Sequence, residues 1–145
     1  MTLYTLEVYG DPLPGGSKRA IPRGGRASVV DANPRVQLWK DQVSRAARDY
    51  LDLVVGSEGF PLEVPLSVHF FFMIRPPVSC DRTWPSVRPD LTKLIRPVED
   101  ALTGILWKDD ALIVEQYASK RYSPVPCVII DVERFEPSLV RTGHD

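Results

Sequence analysis

Four aspartates within residues 88–122 are the residues whose types and spacing could carry chemistry. They are Asp90, Asp100, Asp109 and Asp110. Carboxylates that two packed elements bring together repel one another, which is costly unless a cation lies between them. Mg²⁺ is the natural occupant, with Mn²⁺ as a possible substitute, because it binds carboxylate, phosphate and water oxygens. Such an ion activates water and stabilises charge that builds on a phosphate.

Two cations follow Asp90 within one to two helical turns, where they could contact the same phosphate: Lys93 and Arg96. The acids also have ordinary structural interpretations. Asp90 could cap a helix, because an aspartate accepts hydrogen bonds from the first backbone amides. Asp109 and Asp110 could form a turn before a strand. Composition and spacing leave both interpretations open.

Hydrophobic periodicity predicts the elements that must position these residues. Pro97 should kink or restart the second helix, since proline removes a backbone donor. We therefore expect an α+β fold, with a small mixed or antiparallel sheet of about four to five strands and two main helices. The predicted elements are strands over 2–9, 66–74, 111–122 and 125–135, and helices over 36–50 and 90–106.

The chain has 145 residues, which suits a single domain over 1–136 with a frayed tail over 137–145. Residues 10–35 are rich in Gly, Pro and Arg and show no period, which predicts a mobile basic loop with a short extended piece at 27–30. The basic residues in that loop suggest a polyanionic partner.

Composition excludes several classes of protein. A hydrophobic fraction of 43% with a net charge of −1 rules out disorder as the overall state. The apolar runs are too short for a membrane helix and the start is unlike a signal peptide, so we expect a cytoplasmic protein without a membrane partner. Two cysteines and two histidines argue against a disulfide framework, a zinc site and histidine-centred catalysis.

The order of several short motifs resembles that of one known family. The motifs are Gly10, Pro12, Pro14, Gly16-Ser17-Lys18-Arg19 and Trp39-Lys40 in the first part of the chain, and Pro89-Asp90-Leu91, Asp100-Ala101-Leu102, Asp109-Asp110, Lys120 and Tyr122 in the second. Together they resemble the RusA family of Holliday junction resolvases, and the opening is similar to members carried by phages and prophages. The resemblance extends from residue 2 to about 135.

The resemblance implies a small homodimeric, Mg²⁺-dependent endonuclease with an α+β fold. Such an enzyme cuts branched DNA, chiefly four-way junctions, by paired symmetric nicks in recombination and repair. Asp90 matches the first catalytic aspartate, and Asp110 matches the essential member of the later pair. Asp109 matches its neighbour, so all three are expected at the metal, with Asp100 as a further ligand.

The chain departs from the family pattern at three positions. Thr92 replaces the second aspartate of the first motif, Lys93 replaces an asparagine, and Arg96 replaces a lysine. Asp100 and Asp109 are the candidates to supply the missing oxygen. The departure at Thr92 raises an alternative function, a catalytically weakened module that binds branched DNA. A structural or oligomerisation protein, whose acids are caps and turns, is a second alternative.

Basic residues in two loops and one strand are the candidates for DNA contacts, since cations that neutralise phosphates gain affinity by releasing counterions. The apolar strands and the helix over 36–50 are the candidates for a dimer interface. Trp39, Trp107 and His69 are expected in the core, whereas Trp84 could stack on an unpaired base. The candidate DNA-binding residues are Lys18, Arg19, Arg23, Arg26, Arg82, Arg88 and Lys120.

Overall fold

The computed structural model of the chain describes residues 3–16, 18–23, 26–31 and 33–136, with the backbone alone for 18–23 and 26–31. The strands are β1 (Leu3–Tyr9), β2 (Lys18–Arg23), β3 (Arg26–Asp31), β4 (Leu66–Ile74), β5 (Ile113–Tyr122) and β6 (Cys127–Arg134). The helices are α1 (Pro34–Tyr50), which continues into a π-helical segment Leu51–Val55, α2 (Leu91–Leu102) and a 3₁₀ turn, Asp110–Leu112.

Four strands form one mixed sheet in the order β1-β6-β4-β5. Strand β6 lies antiparallel to both β1 and β4, whereas β4 and β5 run parallel and are joined through α2. Parallel neighbours need a crossover connection of this kind, since a hairpin cannot join them. The α+β fold, the mixed sheet of about four strands and the two main helices are thereby confirmed.

The core lies between the two helices and one face of the sheet. Alternate residues of β4 point to that face and are fully buried, namely Val68, Phe70 and Phe72. Phe71, on the other face, is only partly buried. Trp39 and Trp107 are buried as predicted. The prediction for His69 is wrong, because this side chain is partly exposed and packs edge-on against the ring of Tyr117 with centroids 4.7 Å apart.

Helix α1 begins at Pro34, slightly before the predicted start at residue 36. Asn33 is the N-cap and its side chain accepts a hydrogen bond of 2.9 Å from the backbone N–H of Arg35, while Pro34 takes the first helical position. This arrangement satisfies one of the orphan amides of the first turn. The apolar stripe of α1 is buried within the chain and consists of Val36, Trp39, Val43 and Ala47.

Helix α2 differs from its prediction in two ways. It ends at Leu102, four residues early, because Thr103 is extended and Gly104 has a φ of +90°. It also does not restart at Pro97, which lies inside the helix. The missing N–H of Pro97 leaves the Lys93 carbonyl without its usual helical donor, and the backbone N–H of Gly15 donates to that carbonyl instead, at 2.8 Å.

The basic segment is more regular than expected. Strands β2 and β3 form an antiparallel hairpin, with Lys18 opposite Asp31, where the composition predicts a loop. The extended piece predicted at 27–30 lies within β3. A two-stranded ribbon tolerates Pro22 because its outer edges need no donor. The predicted tail over 137–145 lies outside the described residues. Among the residues described, no helix is long and apolar enough to cross a membrane.

Candidate active site

Asp90 occupies the N-cap position of α2 without using its side chain as a cap. Its backbone carbonyl accepts hydrogen bonds from the N–H groups of Lys93 and Leu94, both at 3.1 Å. Its carboxylate makes no capping hydrogen bond, although an N-cap aspartate normally does. The capping interpretation of the Asp90 side chain is therefore wrong, and this carboxylate is not committed to the helix end.

Asp90 lines a cleft of about 330 Å³ beside the start of α2. One wall is formed by the segment that leads into the β2–β3 hairpin, and the bond from Gly15 to Lys93 ties that segment to the helix. One acidic and two basic residues line the same space, a composition that suits a phosphate together with a metal ion. The lining residues are Pro14, Gly15, Arg88, Pro89, Asp90 and Lys93.

The loop that precedes Asp90 is attached to the end of β5. Lys120 Nζ donates to the backbone carbonyls of Val87 and Pro89, at 2.8 and 2.9 Å. Trp84, which is 58% exposed, lies against the guanidinium of Arg121, 5.6 Å from the ring centroid. Three successive residues of β5 thus contact this loop, since the next one, Tyr122, accepts a hydrogen bond from the side chain of Arg82.

Asp109 and Asp110 have different surroundings. Asp109 caps the 3₁₀ turn, because its carboxylate accepts a hydrogen bond of 2.9 Å from the backbone N–H of Ala111. The turn role considered for this acid is therefore observed. Asp110 is exposed, and its charge contributes to a raised pKa at Glu99 of α2.

Glu99 is an acid of this region that the sequence analysis did not select. Partial burial is the main reason that its pKa is raised above the ordinary value, and the charges of Asp110 and Asp100 raise it further. A hydrogen bond of 2.8 Å from the side chain of Gln116 on β5 acts in the opposite direction. Glu99 follows Thr92 by seven residues, so the helical period could have placed both on one side of α2.

Asp100 points toward α1, where its carboxylate lies 3.8 Å from Lys40 Nζ. Among the described residues, no group of three or more His, Cys, Asp or Glu side chains is placed to hold a metal ion. Magnesium needs fewer protein ligands than that, because it keeps several waters and binds through one or two carboxylates plus substrate phosphates. Asp90, whose carboxylate is uncommitted, and Asp110, which is exposed, carry oxygen donors of the kind that such a site uses.

The other predicted contact residues are distributed around this region. Lys93 and Arg88 line the cleft, and Arg96 is exposed one turn further along α2. Lys120 is partly buried at the loop carbonyls. The four cations of the hairpin are on β2 and β3, but their side chains lie outside the described part of the chain: Lys18, Arg19, Arg23 and Arg26.

Comparison with known proteins identifies the class to which this fold and cleft belong. The model of the family described as "Endodeoxyribonuclease RusA" matches residues 12–133. The chain therefore belongs to the RusA family, whose members are endodeoxyribonucleases that resolve Holliday junctions and generally depend on a divalent metal. It is also similar to "Uncharacterized protein YqaN" of Bacillus subtilis (strain 168), with 27% identity over 134 residues, 88% of this chain and 94% of that protein.

Proposed function

We propose that this protein is a Mg²⁺-dependent, structure-selective endonuclease that resolves four-way DNA junctions by paired symmetric nicks, in DNA recombination and repair. The observation that carries the proposal is Asp90, which lines a cleft together with two basic residues and whose carboxylate is not used as a helix cap. Membership of the RusA family supports the same activity.

The proposed roles of the residues follow from their positions. Asp90 and Asp110 are the proposed ligands of the metal ion, with Asp109, which precedes Asp110 in the chain, and Asp100 of α2 as further candidate oxygen donors. When bound there, the ion supplies an activated water and offsets charge on the attacked phosphate. Lys93 and Arg96 screen the remaining phosphate charge. Mn²⁺ is the proposed substitute for Mg²⁺ at this site.

The contacts with DNA are proposed to extend from the cleft along the hairpin. Because the bond between Gly15 and Lys93 docks this segment on α2, the hairpin leaves the domain close to Asp90. Its cations, and those of the loop before α2, would then contact phosphates of the junction arms. The proposed contacts are Lys18, Arg19, Arg23 and Arg26 of the hairpin and Arg82 and Arg88 of the loop.

We further propose that the active form is a homodimer, because a two-fold dimer presents two sites to a junction with near two-fold symmetry. Of the surfaces suggested by the sequence, the apolar stripe of α1 is buried within the chain. The sheet face turned away from the helices still offers the neighbouring pair Phe71 and Ile129, both partly exposed. That face is the proposed contact with a second copy.

The test is cleavage of a synthetic four-way junction beside a linear duplex of the same sequence. The wild type should nick the junction symmetrically in Mg²⁺, and chelation of the metal should abolish cleavage. Asp90→Asn and Asp110→Asn should each lower the rate at least about 100-fold, whereas Asp52→Asn, an exposed acid after α1, should leave the rate unchanged. Equal cleavage of the duplex, or full activity in both variants, would refute the proposal.

A second candidate function is a binding module with a weakened metal site, because Thr92 replaces an aspartate of the family pattern. This module would bind junctions tightly but cut them slowly or not at all. Thr92→Asp restores the carboxylate on the exposed side of the first turn of α2. A gain in rate of about 100-fold or more would favour the weakened module, and a change of less than threefold would favour a reorganised but working site.

A further inference from the structure

We infer that Lys120 is a positioning residue that holds Asp90 at the cleft, rather than a contact to DNA phosphates. Its ammonium group donates to two backbone carbonyls, Val87 O at 2.8 Å and Pro89 O at 2.9 Å. Pro89 immediately precedes Asp90, the residue from which α2 starts. The lysine side chain therefore fixes the backbone directly before the proposed metal ligand.

The chemistry of the lysine side chain suits this role. An ammonium carries three donors and no acceptor, and Lys120 uses two of them on main-chain oxygens. Hydrogen bonds with a charged donor are stronger than neutral ones, and Lys120 is partly buried, where the interaction is less screened. The same carbonyls would lose their partners if the ammonium turned outward to a phosphate, so the two roles compete.

The neighbouring residues of β5 support a fixed loop. Lys120 and Arg121 leave opposite faces of the strand because side chains alternate along it. Arg121 lies over the ring of Trp84, and Tyr122 bonds to Arg82, so the loop is held from both faces of β5. Pro85, which follows Trp84 in this loop, is also buried.

The catalytic part of this inference rests on the proposed function, whereas the structural part does not. The test therefore combines a structural measurement with binding and cleavage. Lys120→Met keeps the length of the side chain and removes its donors, and Lys120→Arg keeps the charge. Arg45→Met, at an exposed position of α1, is the matched control for the loss of one positive charge.

The structural measurement is amide hydrogen exchange in the segment 87–93, followed by mass spectrometry without DNA. Lys120→Met should exchange there at least about tenfold faster than the wild type, since two charge-assisted bonds to this backbone are lost. Lys120→Arg should recover part of the protection, and Arg45→Met should match the wild type. Unchanged exchange in Lys120→Met would overturn the inference.

Binding and cleavage separate positioning from phosphate contact. With Ca²⁺ in place of Mg²⁺, Lys120→Met should bind the four-way junction within about twofold of the wild type, with the same dependence of log Kd on log salt. Its single-turnover cleavage rate in Mg²⁺ should fall at least about tenfold. Weaker binding together with a salt slope smaller by about 0.9 would show a phosphate contact and overturn the inference.

Two further results are also informative. If the wild type neither binds nor cuts junctions, the proposed function fails, and hydrogen exchange alone decides whether Lys120 fixes the loop. If Lys120→Met does not fold, Lys120→Gln takes its place in the same three measurements, because its shorter amide carries no charge. Wild-type exchange and cleavage in that variant would overturn the inference.

Discussion

A methyl group at position 15 should destabilise the protein by driving the first segment away from α2. A Cβ added to Gly15 would lie 2.8 Å from Cγ and 3.3 Å from Cδ of Pro97, well inside the 3.5–4.0 Å at which carbon atoms normally meet. The hydrogen bond of 2.8 Å from the Gly15 N–H to the Lys93 carbonyl would lengthen as the segment moves.

The expected magnitude follows from three terms. Overpacking costs about 1–3 kcal/mol, and the weakened hydrogen bond costs about 0.5–1.5 kcal/mol. The alanine offsets about 0.4–1 kcal/mol by restricting the unfolded chain. Gly15→Ala should therefore lower the free energy of unfolding by about 2 kcal/mol, and Tm by about 4–8 °C for a chain of this size.

Urea denaturation followed by tryptophan fluorescence would measure this loss, because Trp39 and Trp107 are buried and report on the core. A double-mutant cycle with Pro97→Ala tests the cause. Removing the proline ring opens space for the new methyl group, so Gly15→Ala should cost at least about 1 kcal/mol less in that background. The steric explanation would be refuted if Gly15→Ala alone lowered the free energy of unfolding by less than about 0.5 kcal/mol, or if the effects of Gly15→Ala and Pro97→Ala were additive.

Three other predictions concern acidity, helix capping and assembly. Glu99→Gln should raise stability at neutral pH by less than about 1 kcal/mol, because a raised pKa means that folding disfavours the charged form. The cost of the ionised carboxylate in the folded state is absent below the ordinary pKa of 4.5 and grows above it. The difference in Tm between variant and wild type should therefore vanish as pH falls below 4.5. A difference that stays constant with pH would contradict this cause. Asn33→Ala should lower the free energy of unfolding by about 1 kcal/mol through loss of the α1 cap, and Asn33→Ser should retain most of it in thermal denaturation; equal losses in both would exclude capping as the reason. Phe71→Glu should give a monomer in light scattering, while Leu38→Glu on the exposed side of α1 should remain dimeric; the reverse outcome would move the interface to α1.

Most of the elements were predictable from the sequence, because an element that is buried on one side carries apolar residues at a regular spacing. The prediction failed where that spacing continues beyond the end of the element. Ile105, Leu106 and Trp107 extend the apolar pattern of α2, yet Gly104 with its positive φ ends the helix before them. The hairpin over 18–31 was missed for a different reason. Its two strands pair only with each other, and the sequence shows no apolar period there.

The candidate site was predictable by residue type but not by contact. Asp90 and Asp109 both precede a helical turn, and the sequence offers the same two interpretations for each. The structure separates them, because Asp109 caps its turn and Asp90 does not. Lys120 was predicted as a DNA contact from its residue type and place in the chain. Nothing in the order of residues indicates that its ammonium lies at two main-chain carbonyls.

Several features that are unfavourable in isolation gather around the N-terminus of α2. A proline sits inside the helix, the side chain of the N-cap aspartate leaves the first amides uncapped, and a partly buried lysine ammonium binds backbone carbonyls. The first of these lets Gly15 dock on the freed carbonyl of Lys93, and the last fixes the backbone beside Asp90. Each departure costs stability, and proteins break local rules of this kind mainly at functional sites, where the departure places a group that acts. Their convergence on one carboxylate is therefore an argument for Asp90 that is independent of the family motif.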